Sequence, residues 1–358
     1  MTDLARPRSG FAPLRVAAID RLCDDAVAIT FDVPDDLADR YRHAPGQAVT
    51  IRRDVDGRDE RRSYSVCAPL GAQLRIGVRE LPGGAVSSRL VHELRVGDRV
   101  EVSRPTGRFV PDLGEPGRHV LIGAGSGITP LLSIAASVLA ADDTSTVALV
   151  YGNRRAGSIM FVDEIADLKD AHPARVEVMH LLSREAQEVE LLSGRIDADR
   201  LRGLLALVGD AERIDHWWLC GPHEMVTSLT EAVAGWGVEP GRVHRELFWV
   251  EDDPPATVVH DEGPAVAGAT VHVQLDGRRT TVTVPAGATI LETAQRARPD
   301  LPFACKGGVC GTCRALVTSG VVRMRRNFAL EDAELAAGYT LTCQAEPASD
   351  EVVVDYDA

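Results

Sequence analysis

The chain has 358 residues, too many for one hydrophobic core, so two or three domains are expected. Hydrophobic residues make up 45% and charged residues 26%, an ordinary globular balance, and a net charge of -14 argues against general binding to nucleic acid or to anionic membranes. The N-terminal MTDLARPRSG has no apolar run behind its basic residues and no stretch approaches ~18 uncharged apolar residues, so neither export nor membrane spanning is expected and the cytoplasm is the expected location.

Residues 11 to 112 read as short alternating segments: RVAAID, AVAITFDV, QAVTIRR, YSVCAP, LRIGVRE and DRVEVSR. Turns rich in Gly, Pro and Asp separate them, which indicates an antiparallel barrel or sandwich. Within this region, Arg62-Ser63-Tyr64-Ser65 resembles the flavin motif of the ferredoxin–NADP reductase superfamily. The residue types suit the chemistry. An Arg pairs with phosphate as a bidentate donor. A Tyr ring offers a flat surface to an isoalloxazine, and a small hydroxyl can hydrogen-bond flavin N5. About twenty residues on, Gly84-Ala85-Val86-Ser87-Ser88-Arg89-Leu90 suggests a Gly-led turn opening a helix whose free N–H groups suit a pyrophosphate. Plain N-capping by Ser87 or Ser88 is the compatible alternative. His43-Ala44-Pro45-Gly46-Gln47 matches the superfamily's barrel entrance. Together these imply a flavin domain over 1–112, with FAD favoured over FMN.

From His119 the rhythm changes. HVLIGAG, TVALVYGN, RVEVMHLLS and HWWLCGP are apolar runs, and PLLSIAASVLA and FVDEIADLKDA between them have helical periodicity. Strands alternating with helices indicate a parallel α/β sheet, here over 113–250. Gly123-Ala124-Gly125-Ser126-Gly127-Ile128-Thr129-Pro130 follows a strand and precedes a helix, with Thr129 expected as N-cap and Pro130 as first helical residue. Its glycines let backbone approach a pyrophosphate. The GxGxG spacing differs from the usual dinucleotide fingerprint but resembles the pyridine-nucleotide loop of the same superfamily. Cys220-Gly221-Pro222 resembles that superfamily's later motif, beside the nicotinamide; a buried apolar cysteine is the alternative. The resemblance places Tyr64, Ser65 and Cys220 at the hydride-transfer centre. No acid follows strand YGNRR to hold a ribose 2′-hydroxyl. By likeness to bacterial ferredoxin–NADP reductases, Arg154, Ser183, Arg184 and Arg195 point to the 2′-phosphate of NADPH, against exposed arginines with no ligand. Phe248, in Arg245-Glu246-Leu247-Phe248, stands where the superfamily often covers the flavin with an aromatic ring; core packing is its other fate.

Residues 251–268 are rich in Pro, Gly and acid and read as a linker. After it, TVHVQLDGRRTTVTVPAG is a hairpin turning at Asp276-Gly277, and ATILETAQRA is a short helix. Cys305, Cys310, Cys313 and Cys343 then follow the spacing Cys-x4-Cys-x2-Cys-x29-Cys, the plant-type arrangement for a 2Fe–2S cluster. A structural zinc site favours paired Cys-x2-Cys knuckles, and only one pair here has that spacing. Four unrelated buried cysteines are the other alternative; Cys23, Cys67 and Cys220 stand apart. From Leu301 to Leu330 there are five basic residues and no acid: Lys306, Arg314, Arg323, Arg325 and Arg326. They either offset the cluster's charge or form a docking face for an acidic partner.

The order of parts resembles the reductase components of bacterial multicomponent oxygenases. It resembles the phenylacetyl-CoA epoxidase reductase family, most sharply at YGNRR and at VRMRRNFALEDAELAAGYTLTCQAEPASDEVVVDYD. That resemblance implies a multidomain fold: an antiparallel β-barrel flavin domain, a parallel α/β nucleotide domain and, over 269–358, an α+β β-grasp ferredoxin domain. It implies electron flow from NADPH through FAD and a 2Fe–2S cluster to a diiron oxygenase. An NADH-dependent reductase of another monooxygenase or Rieske dioxygenase shares these motifs, and a redox-sensing iron–sulfur flavoprotein without turnover is the reading of another class.

Overall fold

The computed structural model describes residues 10–55, 57–208, 211–249, 266 and 268–358. The expected linker, 251–268, therefore lies almost wholly outside the described residues. Two compact units are present, Ala12–Glu60 with Tyr64–Trp249, and a second made of the C-terminal part, described from residue 266, together with Phe11 and Arg61–Ser63. Among the described residues no helix is long and apolar enough to cross a membrane.

The first unit begins with strands β1 (Phe11–Cys23), β2 (Ala26–Asp32), β3 (Ala48–Val55), β4 (Arg58–Ser65), β5 (Arg75–Arg79) and β6 (Arg99–Ser103), with short helices α1 (Ala38–Tyr41) and α2 (Ser87–His92). Their order in the sheet is β4-β3-β6-β1-β2-β5. An antiparallel bridge from Val66, just past β4, to Ile76 on β5 brings the two edges together and closes the barrel. Leu14, Val16, Ile29, Phe31, Val49, Ile51, Ile76 and Val78 fill its interior, the inward halves of alternating strands. The fourth strand has other bounds than expected: it contains Arg62–Ser65, read as strand, but runs from Arg58 to Ser65 and stops short of the 66–69 part of YSVCAP. Its first half, RDER, is polar enough to resemble a loop.

Strands β7 (Arg118–Ala124), β8 (Thr146–Asn153), β9 (Val176–Leu182), β10 (His216–Pro222) and β11 (Val243–Trp249) form a second sheet, order β11-β10-β7-β8-β9. All four pairings are parallel. Helices α3 (Ile128–Ala141), α4 (Val162–Ala171), α5 (Ala198–Val208) and α6 (His223–Gly235) connect the strands. Leu121 on β7 joins one core and its neighbours Val120 and Ile122 another. Both sheet faces are covered, which is why the strands read as unbroken apolar runs.

Alternate residues of β5 carry the barrel against this second sheet. Arg75 pairs with Glu164 at 3.1 Å and lies 5.5 Å from the Phe161 ring centre. A Cβ on Gly77 would come within 2.5 Å of Thr129 Cγ2. Arg79 donates to the Ser158 carbonyl. The spacing of two residues puts all three side-chain positions on one strand face.

The C-terminal unit has a sheet of order β13-β12-β18-β14-β16 and a separate β15-β17 pair. These are β12 (Ala269–Leu275), β13 (Arg278–Val284), β14 (Arg314–Ser319), β15 (Val322–Met324), β16 (Tyr339–Leu341), β17 (Ala345–Pro347) and β18 (Glu351–Asp355), with α7 (Ile290–Ala297) and α8 (Asp332–Ala336). β12 runs parallel to β18 and antiparallel to β13. Thr289 and Glu292 cap α7 reciprocally, at 3.2 and 2.9 Å. The hairpin turns at Asp276 and Gly277, both with positive φ (52° and 66°), and the Asp357 carboxylate accepts both their amides.

At the barrel entrance, Gly46 has φ 86° and a Cβ there would stand 1.9 Å from the Phe109 carbonyl oxygen. Gly46→Ala is expected to lower stability by about 2–4 kcal/mol through backbone strain and this clash, read as a fall in the thermal midpoint.

Candidate functional site

The end of β4 carries Arg62, Ser63, Tyr64 and Ser65. Tyr64 is half-buried against the barrel core, and Ser65 is buried. The Ser65 hydroxyl donates to Glu246 Oε2 at 3.2 Å. Glu246 arrives there because β11 pairs with β10 in the register Cys220↔Glu246. Ser65, Cys220 and Glu246 are thus gathered at one place by three strands. Desolvation by burial pushes the Glu246 carboxyl up to about 7, partly countered by the Ser65 hydrogen bond. Burial, with Glu246 adding to it, also holds the Cys220 thiol well above its ordinary range, so it stays neutral. The sequence motif points to Phe248 and passes over its neighbour Glu246. Phe248 is half-buried and packs against the nucleotide-domain core. An acid two residues before the quoted Phe248, within the same short Arg245–Phe248 stretch, is the signal that could have found Glu246.

The glycine turn at Gly84 is tighter than expected and is not a side-chain cap. Helix α2 starts at Ser87, its N-cap is Val86, and no side chain caps it. The Ser87 hydroxyl instead accepts the Leu81 amide at 3.0 Å, closing the turn beneath the helix. A Cβ on Gly84 would lie 2.5 Å from that hydroxyl. The Ser88 amide donates to the Gly84 carbonyl at 3.4 Å.

In the nucleotide loop, β7 ends through Gly123 into Gly125, which has φ 56°. A Cβ on Gly127 would stand 2.2 Å from the Cys220 carbonyl oxygen, so only glycine lets the loop lie flush on β10. Thr129 is not the N-cap: α3 begins at Ile128 with Gly127 as N-cap, and the Thr129 hydroxyl donates back to the Ser126 carbonyl at 3.0 Å. Pro130 is the third helical residue rather than the first, still within the turn whose amides lack helical partners. Three more residues gather here: Arg79, which no sequence motif marks, and Tyr151 and Asn153 of the YGNRR stretch. Arg79 reaches over from the barrel, its Nη1 3.1 Å from where a Gly125 Cβ would stand. Tyr151 donates its hydroxyl to the Gly125 carbonyl at 2.8 Å. Asn153 is buried at the end of β8, and its side-chain amide has no hydrogen-bond partner among the described residues. A buried amide of this kind at a strand's C-terminal end suits a polar ligand.

Backbone bonds bring the four expected 2′-phosphate residues to neighbouring strand ends. Ser183 N donates to Asn153 O at 2.9 Å, Arg184 N to Arg154 O at 2.8 Å, and Gly194 N to Leu182 O at 2.9 Å beside Arg195. Arg154, Ser183, Arg184 and Arg195 are all exposed there. The donor set is cationic and open to solvent, as a phosphate monoester requires.

The four cysteines of the C-terminal unit sit as two pairs. Cys310 lies against Cys305 and lowers its thiol, helped by backbone amides. Cys313 does the same for Cys343. Cys305 Sγ accepts amides from Gly307 at 3.3 Å and Cys310 at 3.4 Å, and Cys343 Sγ accepts Gln344 Nε2 at 3.4 Å. Gly308 and Gly311, φ 79° and 66°, make the bend that turns these amides inward. Among the described residues no three Cys, His, Asp or Glu side chains converge as a single ion needs. Two adjacent thiol pairs ringed by N–H donors fit a two-iron cluster better than one zinc ion. Behind them, Tyr356 donates to Thr342 Oγ1 at 2.6 Å and Thr342 donates to the Cys313 carbonyl at 3.0 Å. The basic stretch is less free than its sequence suggests. Arg323 and Arg325 both close on Glu346, at 3.1 and 2.7 Å, and Arg314 pairs with Glu334 at 2.8 Å.

These parts define a pyridine-nucleotide-linked flavin oxidoreductase with an appended iron–sulfur domain. Family models agree: an oxidoreductase FAD-binding domain matches residues 13–110, an oxidoreductase NAD-binding domain 121–247 and a 2Fe-2S iron-sulfur cluster binding domain 273–348. The chain is 40% identical over 352 residues to one component of the 1,2-phenylacetyl-CoA epoxidase of Escherichia coli, covering 97% of this chain and 98% of that one. It is 35% identical to the ferredoxin reductase component of 3-ketosteroid-9-alpha-monooxygenase from Mycobacterium tuberculosis, covering 96% and 95%. Phthalate dioxygenase reductase shares the fold, with a TM-score of 0.56 at 23% identity over 97% of this chain and 98% of that one. The chain belongs to the flavin iron–sulfur reductases that serve multicomponent oxygenases, within the ferredoxin–NADP reductase superfamily.

A carboxyl raised by burial costs stability as pH climbs from its ordinary ~4.3 towards its folded value, and the cost is constant beyond that. With Glu246 at about 7, Glu246→Gln should gain stability over the parent between pH 5 and 7 and level off above. Thermal melts across that range read the difference, expected to be on the order of 3 kcal/mol at its plateau.

Proposed function

We propose that this chain is the NADPH-dependent reductase of a phenylacetyl-CoA epoxidase system, feeding electrons to a diiron oxygenase that epoxidises the aromatic ring. The observation that carries the reading is the end-to-end 40% identity to a component of that epoxidase. The matched family regions support the division into a flavin domain over 1–112, a nucleotide domain over 113–250 and a ferredoxin domain over 269–358, joined by 251–268.

The bound groups supply the redox chemistry: hydride acceptance by FAD and one-electron transfer by the 2Fe–2S cluster. The chain's residues bind and orient. Arg62 is assigned to the flavin phosphate, Tyr64 to the ring face, and Gly84, Val86, Ser87 and Ser88 to the pyrophosphate. The Ser65 hydroxyl, tethered by Glu246, faces the flavin's reacting edge, and neutral Cys220 lines the nicotinamide side without adding charge. Gly123, Gly125, Gly127 and Thr129, with Arg79 and Gly221 alongside, take the nucleotide's pyrophosphate. Arg154, Ser183, Arg184 and Arg195 take the 2′-phosphate, and Phe248 shields the flavin. Cys305, Cys310, Cys313 and Cys343 hold the irons.

The test is reconstitution. Anaerobically purified chain, NADPH, phenylacetyl-CoA and purified diiron epoxidase should yield the ring epoxide. Efficient coupling to 3-ketosteroid-9-alpha-monooxygenase, and none to the epoxidase, would transfer the assignment to that oxygenase, whose reductase is 35% identical. For the nucleotide, one charge-assisted phosphate contact contributes about 1.5–3 kcal/mol. Arg184→Ala should therefore cut the NADPH/NADH preference in kcat/KM by about tenfold or more. An unchanged ratio would overturn the NADPH assignment.

A further inference from the structure

In a chain of net charge -14, the stretch 301–330 has no acid, and the structure sorts its five basic residues into two groups. Arg314, Arg323 and Arg325 are tied to Glu334 and Glu346. Lys306 and Arg326 are exposed and form no ion pair among the described residues. They stand on the same rim of the cysteine loop. Gln344 Nε2 donates to the Lys306 carbonyl at 2.8 Å and reaches Cys343 Sγ at 3.4 Å, while the Gln344 carbonyl accepts the Arg325 amide at 2.9 Å. Gly308 fits between: a Cβ there would lie 3.1 Å from Gln344 Cγ and 3.2 Å from the Arg326 carbonyl oxygen. Lys306 also keeps a side chain at φ 54°, where Gly308 and Gly311 meet the same demand with glycine. Its ammonium rests 4.7 Å from the Phe303 ring centre, held beside Cys305.

We infer that Lys306 and Arg326 form the docking contact through which the cluster domain engages an acidic, single-electron protein acceptor. The inference rests on the electron-transfer reading above and narrows it. Arg323 and Arg325, at first sight part of the same patch, serve Glu346 and the β15–β17 pair instead. An exposed cationic pair on the rim of an otherwise acidic molecule orients and accelerates encounter with a negatively charged face.

The competing role is to offset the cluster's own negative charge, and two haem proteins separate them. Holoprotein with a nicotinamide nucleotide is assayed against soluble cytochrome b5, an acidic acceptor, and against cytochrome c, a basic one. The variants are Lys306→Glu/Arg326→Glu and Arg326→Glu alone; the latter keeps the test open if the double variant loses its iron. Expected results are a roughly tenfold slower reduction of cytochrome b5, with its salt dependence flattened, and a faster reduction of cytochrome c. Equal changes for both acceptors, tracking a shifted cluster midpoint potential, would overturn the inference. So would unchanged rates with both. A parent protein whose flavin and cluster stay oxidised under NADPH and NADH would instead defeat the electron-transfer reading itself.

Discussion

The hydrogen bond from Ser65 to Glu246 is the point at which the first unit becomes a redox site. One partner ends a barrel strand and the other lies in the last strand of the nucleotide sheet. Their contact ties the barrel to the last strand of the nucleotide sheet. It needs β10 and β11 in register, so that Glu246 sits opposite Cys220, and it needs Gly127 to let the nucleotide loop lie on that same stretch of β10. The buried carboxyl is expensive to ionise and the neighbouring thiol stays neutral. Burial thus holds both groups toward their neutral forms where the two sheets meet, while cationic groups stand farther out, at Arg79 and at the three exposed arginines.

The second unit solves a different problem. Four thiols in a small volume repel once deprotonated, and inward amides and the glycine bends answer that locally. The rest of the unit is organised to hold the loop still. Gln344 ties it to the Arg325 segment, and the Phe328 amide donates to the Gly308 carbonyl at 3.1 Å.

Fold class was legible because period-two alternation and unbroken apolar runs record how many faces of each sheet are covered. The cysteines were legible because their ligand spacing is narrow. What escaped has a common cause: it depends on partners distant in the chain. The first half of β4, Arg58–Arg61, did not read as a strand because it is held by its neighbours rather than by an apolar face. Thr129 looked like a cap, yet the helix begins two residues earlier than expected and its hydroxyl turns back to Ser126. Glu246 and Arg79 carry no local motif; register and strand facing bring them in. Arg323 and Arg325 looked free because Glu346 lies about twenty residues on.

The path from Tyr356 through Thr342 to the Cys313 carbonyl, together with the grip of Asp357 on the Asp276–Gly277 turn, has a genetic corollary. A nonsense mutation before Tyr356 would not trim a loose end. It would take away the support beneath the Cys313 carbonyl and unpin the first hairpin of the same unit, so a lesion well past the four cysteines would still loosen the loop that carries them.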